Sequence, residues 1–255
     1  RIDGDWIKTQ ENALNQLYEI CVNKDCDLYL IGDIFHRSSE FKMVRLIQKL
    51  ADKLSEKELK LLYLCGNHDM LYHSSQNLDK SAIGLLDGSR NCMTISDYHN
   101  VIFQDNTVSA SNYDQEDNLE SEIVFKHVLT LPEKNPLFES ETPETLCNKF
   151  KKAKWIFTGD YHKNFHYEKN GKNLINPGCL LRQVADMSDY ECGVYYVDTD
   201  NNLVEFIPII DNEKNVINDD YLLKEKEREE RIEQFADKLK DTKSITLDFV
   251  SNVEN

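Results

Sequence analysis

The stretch Asp27-Leu28-Tyr29-Leu30-Ile31-Gly32-Asp33-Ile34-Phe35-His36-Arg37 decides the fold. Its first half is an apolar run of strand length, and Gly32-Asp33 breaks it. A short run that is apolar at every position suits a strand covered on both faces, as in a parallel sheet. Two other stretches repeat the pattern. Leu61-Leu62-Tyr63-Leu64-Cys65 runs into Gly66-Asn67-His68-Asp69, and Trp155-Ile156-Phe157-Thr158 runs into Gly159-Asp160-Tyr161-His162. Ile123 to Leu131 reads as a further strand, ending at His127 or just beyond, and Asn176-Pro177-Gly178 follows later. Side chains at the C-terminal ends of such strands converge on one crevice, where α/β sheets bind ligands. Carboxylates, an amide and imidazoles gathered there suit divalent metals of intermediate hardness, manganese among them.

Outward from these strands, residues 6–22 read as a helix, with Leu14, Leu17, Tyr18 and Cys21 on one face and Asp5 as a cap. A second helix, capped by Ser38 or Ser39, runs to about Leu54 with Met43, Ile47, Leu50, Ala51 and Leu54 on one face. Helix, strand, helix, strand is the order of crossover units on a parallel sheet. Residues 70–87 read as a polar loop and short helix, followed by strands near 92–95 and 100–103. The acidic stretch 109–122 reads as a loop, and a short helix is expected over 143–152. Beyond Asp160 the pattern turns antiparallel. Asn170-Gly171 joins one hairpin, and Asp198 to Asn202 joins another between Gly193–Val197 and Leu203–Ile207. The main domain, residues 1–210, ends there. Residues 211–255 read as a linker, a charged helix over 221–241 and a strand over 245–250, the start of a small C-terminal cap or partner-binding region.

The chain has 255 residues, 40% hydrophobic and 10% aromatic, enough to bury a full core. No apolar run reaches membrane-spanning length, and the N-terminus shows no apolar signal region. Seven cysteines form no C-x-x-C pair and sit mostly among apolar neighbours. They read as buried reduced thiols in a cytoplasmic protein (host cytoplasm if viral). The formal charge of −16 argues against a surface that coats nucleic acid. It leaves a phosphate substrate open, because divalent metals reverse the local sign and a partner can supply a basic face.

The ordered set G-D-x-x-H, G-N-H-D, a lone His and G-D-x-H resembles the calcineurin-like metallophosphoesterases. The resemblance implies a four-layer α/β/β/α sandwich with two divalent ions, of which Mn2+ is the first choice, at its edge. Within that superfamily, Leu30 to Arg37 and Leu174 to Gln183 are similar to the SbcD-type DNA repair nucleases. Bacteriophage members often carry G-D-x-H, which Gly159 to His162 matches. The resemblance covers roughly residues 1–210. It implies that Asp33 bridges the metals, that Asn67, His127 and Asp160 complete one ion, and that His162 binds the other. His68 and His36 would be catalytic, beside the scissile phosphate, with Arg37 and Asn176 on the substrate. It also implies DNA and an SbcC-like SMC-type ATPase as partners, and a homodimer.

Blander readings stand beside these. His68 and His127 can be core histidines, Asp160 a turn-capping residue, and His73, His99 and His166 surface or loop residues. The family's first motif, an Asp-x-His ending the first strand, has no counterpart before Asp33; Asp97-Tyr98-His99 falls in the wrong order and reads as a turn. The expectation is that this strand was removed or left out, so that the chain alone holds one ion poorly. Three activities compete: an SbcD-like DNA nuclease, a small-molecule phosphodiesterase or nucleotide phosphatase, and a scaffold with a degenerate site.

Overall fold

The structure is a computed structural model that describes residues 6–95, 107–113, 120–136, 139–182, 187 and 190–210. Helix α1 (Trp6–Lys24), strand β1 (Leu28–Ile31), helix α2 (Phe41–Ser55) and strand β2 (Leu61–Leu64) follow in the expected order. β1 and β2 pair in parallel, Leu28 beside Leu61 and Ile31 beside Leu64. After the short helix α3 (Ala82–Asp87), β3 (Cys92–Thr94) adds in parallel to the far side of β2.

The second sheet contains β4 (Val108–Ser111), β5 (Ile123–His127), β6 (Trp155–Gly159), β7 (Phe165–Lys169) and β8 (Lys172–Asn176), in the order β4-β5-β6-β8-β7. Only β7, at the edge, runs antiparallel. Helix α4 (Pro143–Lys149) precedes β6 and begins in a capping box between Thr142 and Thr145. Strands β9 (Gly193–Asp198) and β10 (Leu203–Pro208) form a separate hairpin.

Side-chain alternation along the strands builds four layers. Leu61, Tyr63 and Cys65 pack with Leu17, Leu50 and Leu54 of the helices. Leu62 and Leu64 point the other way, into a core shared with Ile123, Phe125, Trp155 and Phe157 of the second sheet. Val124 and Ile156 face outward from that sheet onto Leu146 and Phe150. The result is helices, sheet, sheet, helix. Because both faces of each central strand are covered, the strands read as unbroken apolar runs.

Two local expectations change. Helix α2 starts at Phe41 with Glu40 before it and no side-chain cap, so neither Ser38 nor Ser39 caps it. The Ser38 carbonyl accepts the Ala82 N–H and ties the approach loop to α3. The stretch expected as a loop begins with a strand, β4. Its Val-Ser-Ala-Ser sequence carries little strand signal, but Val108 and Ala110 are buried between the sheets and tertiary packing decides. The expected features at Asp5, Asp97–His99, 100–103 and 211–255 lie outside the described residues. No helix among the described residues is long and apolar enough to cross a membrane.

Among the described strands β1 pairs only with β2, and β9 only with β10. A cavity of about 570 Å³ separates their free edges, lined by Leu28, Tyr29 and Ile31 on one side and Val194, Tyr195 and Val197 on the other. A second cavity, about 380 Å³, continues past the end of β1 to Asp33, His36, His68, Asp160 and His162.

Candidate metal centre

Three strand ends meet at the second cavity: β1, which leads to Gly32-Asp33, β2, which leads to Cys65-Gly66-Asn67, and β6, which ends at Gly159 before Asp160. β5 contributes its last residue, His127, which lies beside Gly159 in the parallel register. The turn after each strand is sharp. Gly32 has φ +78°, Asp33 φ 49° and Asp160 φ 85°, so both carboxylates sit on left-handed backbone that reverses the chain at once. Such conformations in non-glycine residues cluster where structure serves a site.

His127 organises the centre. It is 1% exposed, and its Nδ1 lies 2.9 Å from the Ile31 carbonyl of the facing sheet. A carbonyl only accepts, so Nδ1 carries the hydrogen and fixes the tautomer. Nε2 then faces the Asn67 Oδ1 at 3.2 Å and the Asp33 Oδ1 at 3.5 Å. The neutral ring therefore turns a lone pair toward two oxygens that can only accept. Ligand atoms of Asp33, His127 and Asp160 all lie within 4.8 Å of one another. Converging lone pairs without a donor are satisfied by a cation or by a proton on Nε2, so this donor set fits a divalent metal.

The electrostatics agree. Burial opposes charge on His127, yet Asp33 and the Ile31 carbonyl outweigh it and raise its pKa above the ordinary imidazole value. Burial likewise works against ionised Asp33, but His127 and the His68 N–H, which donates to its Oδ1 at 3.0 Å, hold the carboxyl below the usual range. Asp160 is pushed up, first by burial and then by the charge of Asp33, against the pull of His127. A cation would relieve all three.

The histidines assigned to chemistry lie at the rim. His36 and His68 are exposed, their rings stacked with centroids 5.9 Å apart. The Nδ1 of His68 lies 3.2 Å from the His36 carbonyl, to which it donates. His162 is exposed on the same cavity but stands outside the Asp33–His127–Asp160 cluster. Arg37 is exposed next to His36. Asn176 is placed otherwise than expected. It is fully buried, and its amide donates to the carbonyls of Tyr161 at 2.7 Å and Lys163 at 3.0 Å. It shapes the loop that carries His162 and has no amide hydrogen left for a substrate.

Sequence reasoning gave no site role to Asp69 or Tyr113, and read His73 as a surface or loop residue. Asp69 is wholly buried, and its carboxylate accepts the N–H groups of Ile34 at 3.2 Å, Phe35 at 2.9 Å and Gly66 at 2.9 Å. Burial pushes its carboxyl up to about 7 against the pull of these three donors. It ties the loop after β1 to the loop after β2, and its place inside G-N-H-D was the available signal. The Tyr113 ring meets that of His127 edge-on, centroids 6.3 Å apart. His73 approaches Asn67 from the far side, its Nδ1 2.7 Å from the Asn67 carbonyl. Neither carries a sequence signal.

No protein-family profile matches the chain, and no curated protein matches it. Among solved structures it is similar to the crystal structure of TT1561 of Thermus thermophilus, with a TM-score of 0.47 and 14% identity over 79% of this chain and 95% of that one. A novel archaeal phosphodiesterase aligns with a TM-score of 0.43 and 14% identity over 77% of this chain and 91% of that one. Vacuolar protein sorting 29 from Cryptosporidium parvum aligns with a TM-score of 0.30 and 20% identity over 71% of this chain and 97% of that one. At these scores the likenesses place no residue and assign no activity.

Proposed function

We propose that the chain is a metal-dependent phosphodiesterase of the calcineurin-like metallophosphoesterase kind, acting on DNA as the nuclease subunit of an SbcCD-like complex. The observation that supports this most directly is the meeting of Asp33, Asn67, His127 and Asp160 at one point, with His68 and His36 beside the same cavity. Those four residues would hold one divalent ion, Mn2+ being suited to the mixed oxygen and nitrogen set. Asp33 and His162 would serve a second. When bound, such ions would supply Lewis-acid polarisation of a phosphoryl oxygen and would lower the pKa of a water toward neutrality.

The chain's own residues supply the rest. His68, its ring oriented by the His36 carbonyl, donates a proton from Nε2 to the leaving oxygen. His36 packs against it and directs its own ring toward a phosphate oxygen. Arg37, exposed one residue on, meets the next phosphate along a strand. Two donors are few for a second ion. The chain by itself then takes up one ion tightly and the second weakly.

The formal charge of −16 favours one other reading, a small-molecule phosphodiesterase of the same kind. In the DNA reading the basic surface comes from an ATPase partner. The test is incubation of the intact protein with Mn2+ and either linear duplex DNA or bis(p-nitrophenyl) phosphate. Cutting of DNA, lost in Asp33→Asn and with chelator, supports the nuclease. Hydrolysis of the small diester alone supports the second reading. Bound metal with neither substrate cleaved, even after the ATPase is added, contradicts both and leaves a scaffold.

A further inference from the structure

The turn after Gly66-Asn67-His68-Asp69 contains two successive non-glycine residues in left-handed conformation, Tyr72 with φ 58° and His73 with φ 54°. Both are exposed, Tyr72 at 83%. Burial of these side chains therefore does not account for the strained backbone. The His73 ring makes two contacts with the Asn67–His68 segment. Its Nδ1 lies 2.7 Å from the Asn67 carbonyl, and its ring stands edge-on to that of His68, centroids 6.3 Å apart with planes at 83°. A carbonyl accepts only, so His73 donates through Nδ1. The Asn67–His68 peptide is thus gripped from one side by His73. From the other side the His68 N–H donates to Asp33, and the Asn67 side chain faces His127.

We propose that His73 is a positioning residue: by holding the Asn67 carbonyl it fixes the peptide from which the Asn67 amide points at the metal position and the His68 ring at the leaving group. This rests on the metal site proposed above. Outer groups that orient metal ligands commonly change metal affinity by about 10–100-fold when removed. His73 acts through a backbone carbonyl, and its strained turn places the donor where an ordinary turn would not.

The strain makes the role separable from a purely structural one. Glycine adopts positive φ without steric strain, so His73→Gly removes the donor while relieving the backbone. Asparagine tolerates the same φ and places its Nδ2 close to the position of the imidazole Nδ1, so His73→Asn keeps the donor. Calorimetric titration of the whole chain with Mn2+, paired with urea unfolding of the metal-free protein, reads both properties. The expected result is roughly 10–100-fold weaker Mn2+ binding in His73→Gly, wild-type binding within a few-fold in His73→Asn, and an unfolding midpoint in His73→Gly no lower than wild type. Binding by His73→Gly as tight as wild type, or by His73→Asn as weak as His73→Gly, overturns the proposal. So does a lower midpoint for His73→Gly, since that marks a structural residue. If the wild-type chain takes up no Mn2+, the metal-site reading itself fails and the inference falls with it.

Discussion

Gly32, Gly66 and Gly159 set how closely the strand ends meet. A Cβ at Gly32 would lie 2.0 Å from the Nδ1 of His127, one at Gly66 2.2 Å from the Oδ1 of Asp33, and one at Gly159 2.0 Å from the Ile31 carbonyl and 2.8 Å from His127 Nδ1. Each lies directly before a candidate ligand in sequence, so the glycine and the ligand work as a unit. Gly159→Ala should force apart the His127–Ile31 hydrogen bond. The expected cost is that of overpacking, about 1–3 kcal/mol by urea unfolding, with loss of Mn2+ binding in the same variant. The donors also fix a pH dependence. His127 must give up any proton on Nε2 to bind metal, and its pKa is raised; Asp160, also raised, must be ionised. Proton and cation therefore compete over a range extending above the ordinary imidazole value of about 6.5. Mn2+ affinity should fall as pH drops through that range and level off above it, as titrations at successive pH values would show. Affinity independent of pH between about 6 and 8 would place the ion elsewhere. The convergence of Asp33, Asn67, His127 and Asp160 was legible in the sequence because each ends a strand or follows one within three residues. Asn176 and His73 were not, because their roles are hydrogen bonds to backbone carbonyls that no spacing reveals.

Among the elements, the facing strands β1, β5 and β6 hold the two sheets together. Phe125 stacks between Tyr29, at 5.1 Å, and Phe157, at 4.7 Å, with Trp155 next to Phe157 at 6.4 Å. Phe125→Ala should cost about 3–5 kcal/mol and loosen the approach of His127 to Ile31, two residues along the same strand. A fall of less than about 1 kcal/mol in urea unfolding would show that the sheets are held by other contacts. Apolar strands such as β2 and β6 were readable because both of their faces are covered. The β7–β8 hairpin was readable because Asn170 and Gly171 both take positive φ, 54° and 73°, as a tight two-residue turn requires. β4 was hidden because its alternation rests on one Val and one Ala over four residues, too short and too weakly apolar to stand out from the acidic stretch around it.

At the scale of the molecule, a chain of formal charge −16 brings two of its carboxylates, Asp33 and Asp160, together beside His127. Metal should therefore stabilise the whole fold. At about one hundred times its Kd, Mn2+ adds roughly 2.7 kcal/mol, seen as a higher unfolding temperature that NaCl at equal ionic strength does not reproduce. The parallel crossover units followed from the sequence order of helices and apolar strands, whereas the four-layer plan was what the resemblance of the motifs implied. The gap between the free edges of β1 and β9 did not, since it depends on which edges remain unpaired in three dimensions. The position of a bound cation is the most direct test. Anomalous diffraction at the manganese edge from Mn2+-soaked crystals should place a peak at bonding distance from Asp33, Asn67, His127 and Asp160 together. A map with no peak among these four side chains, or with manganese bound only elsewhere on the surface, would contradict the proposed centre.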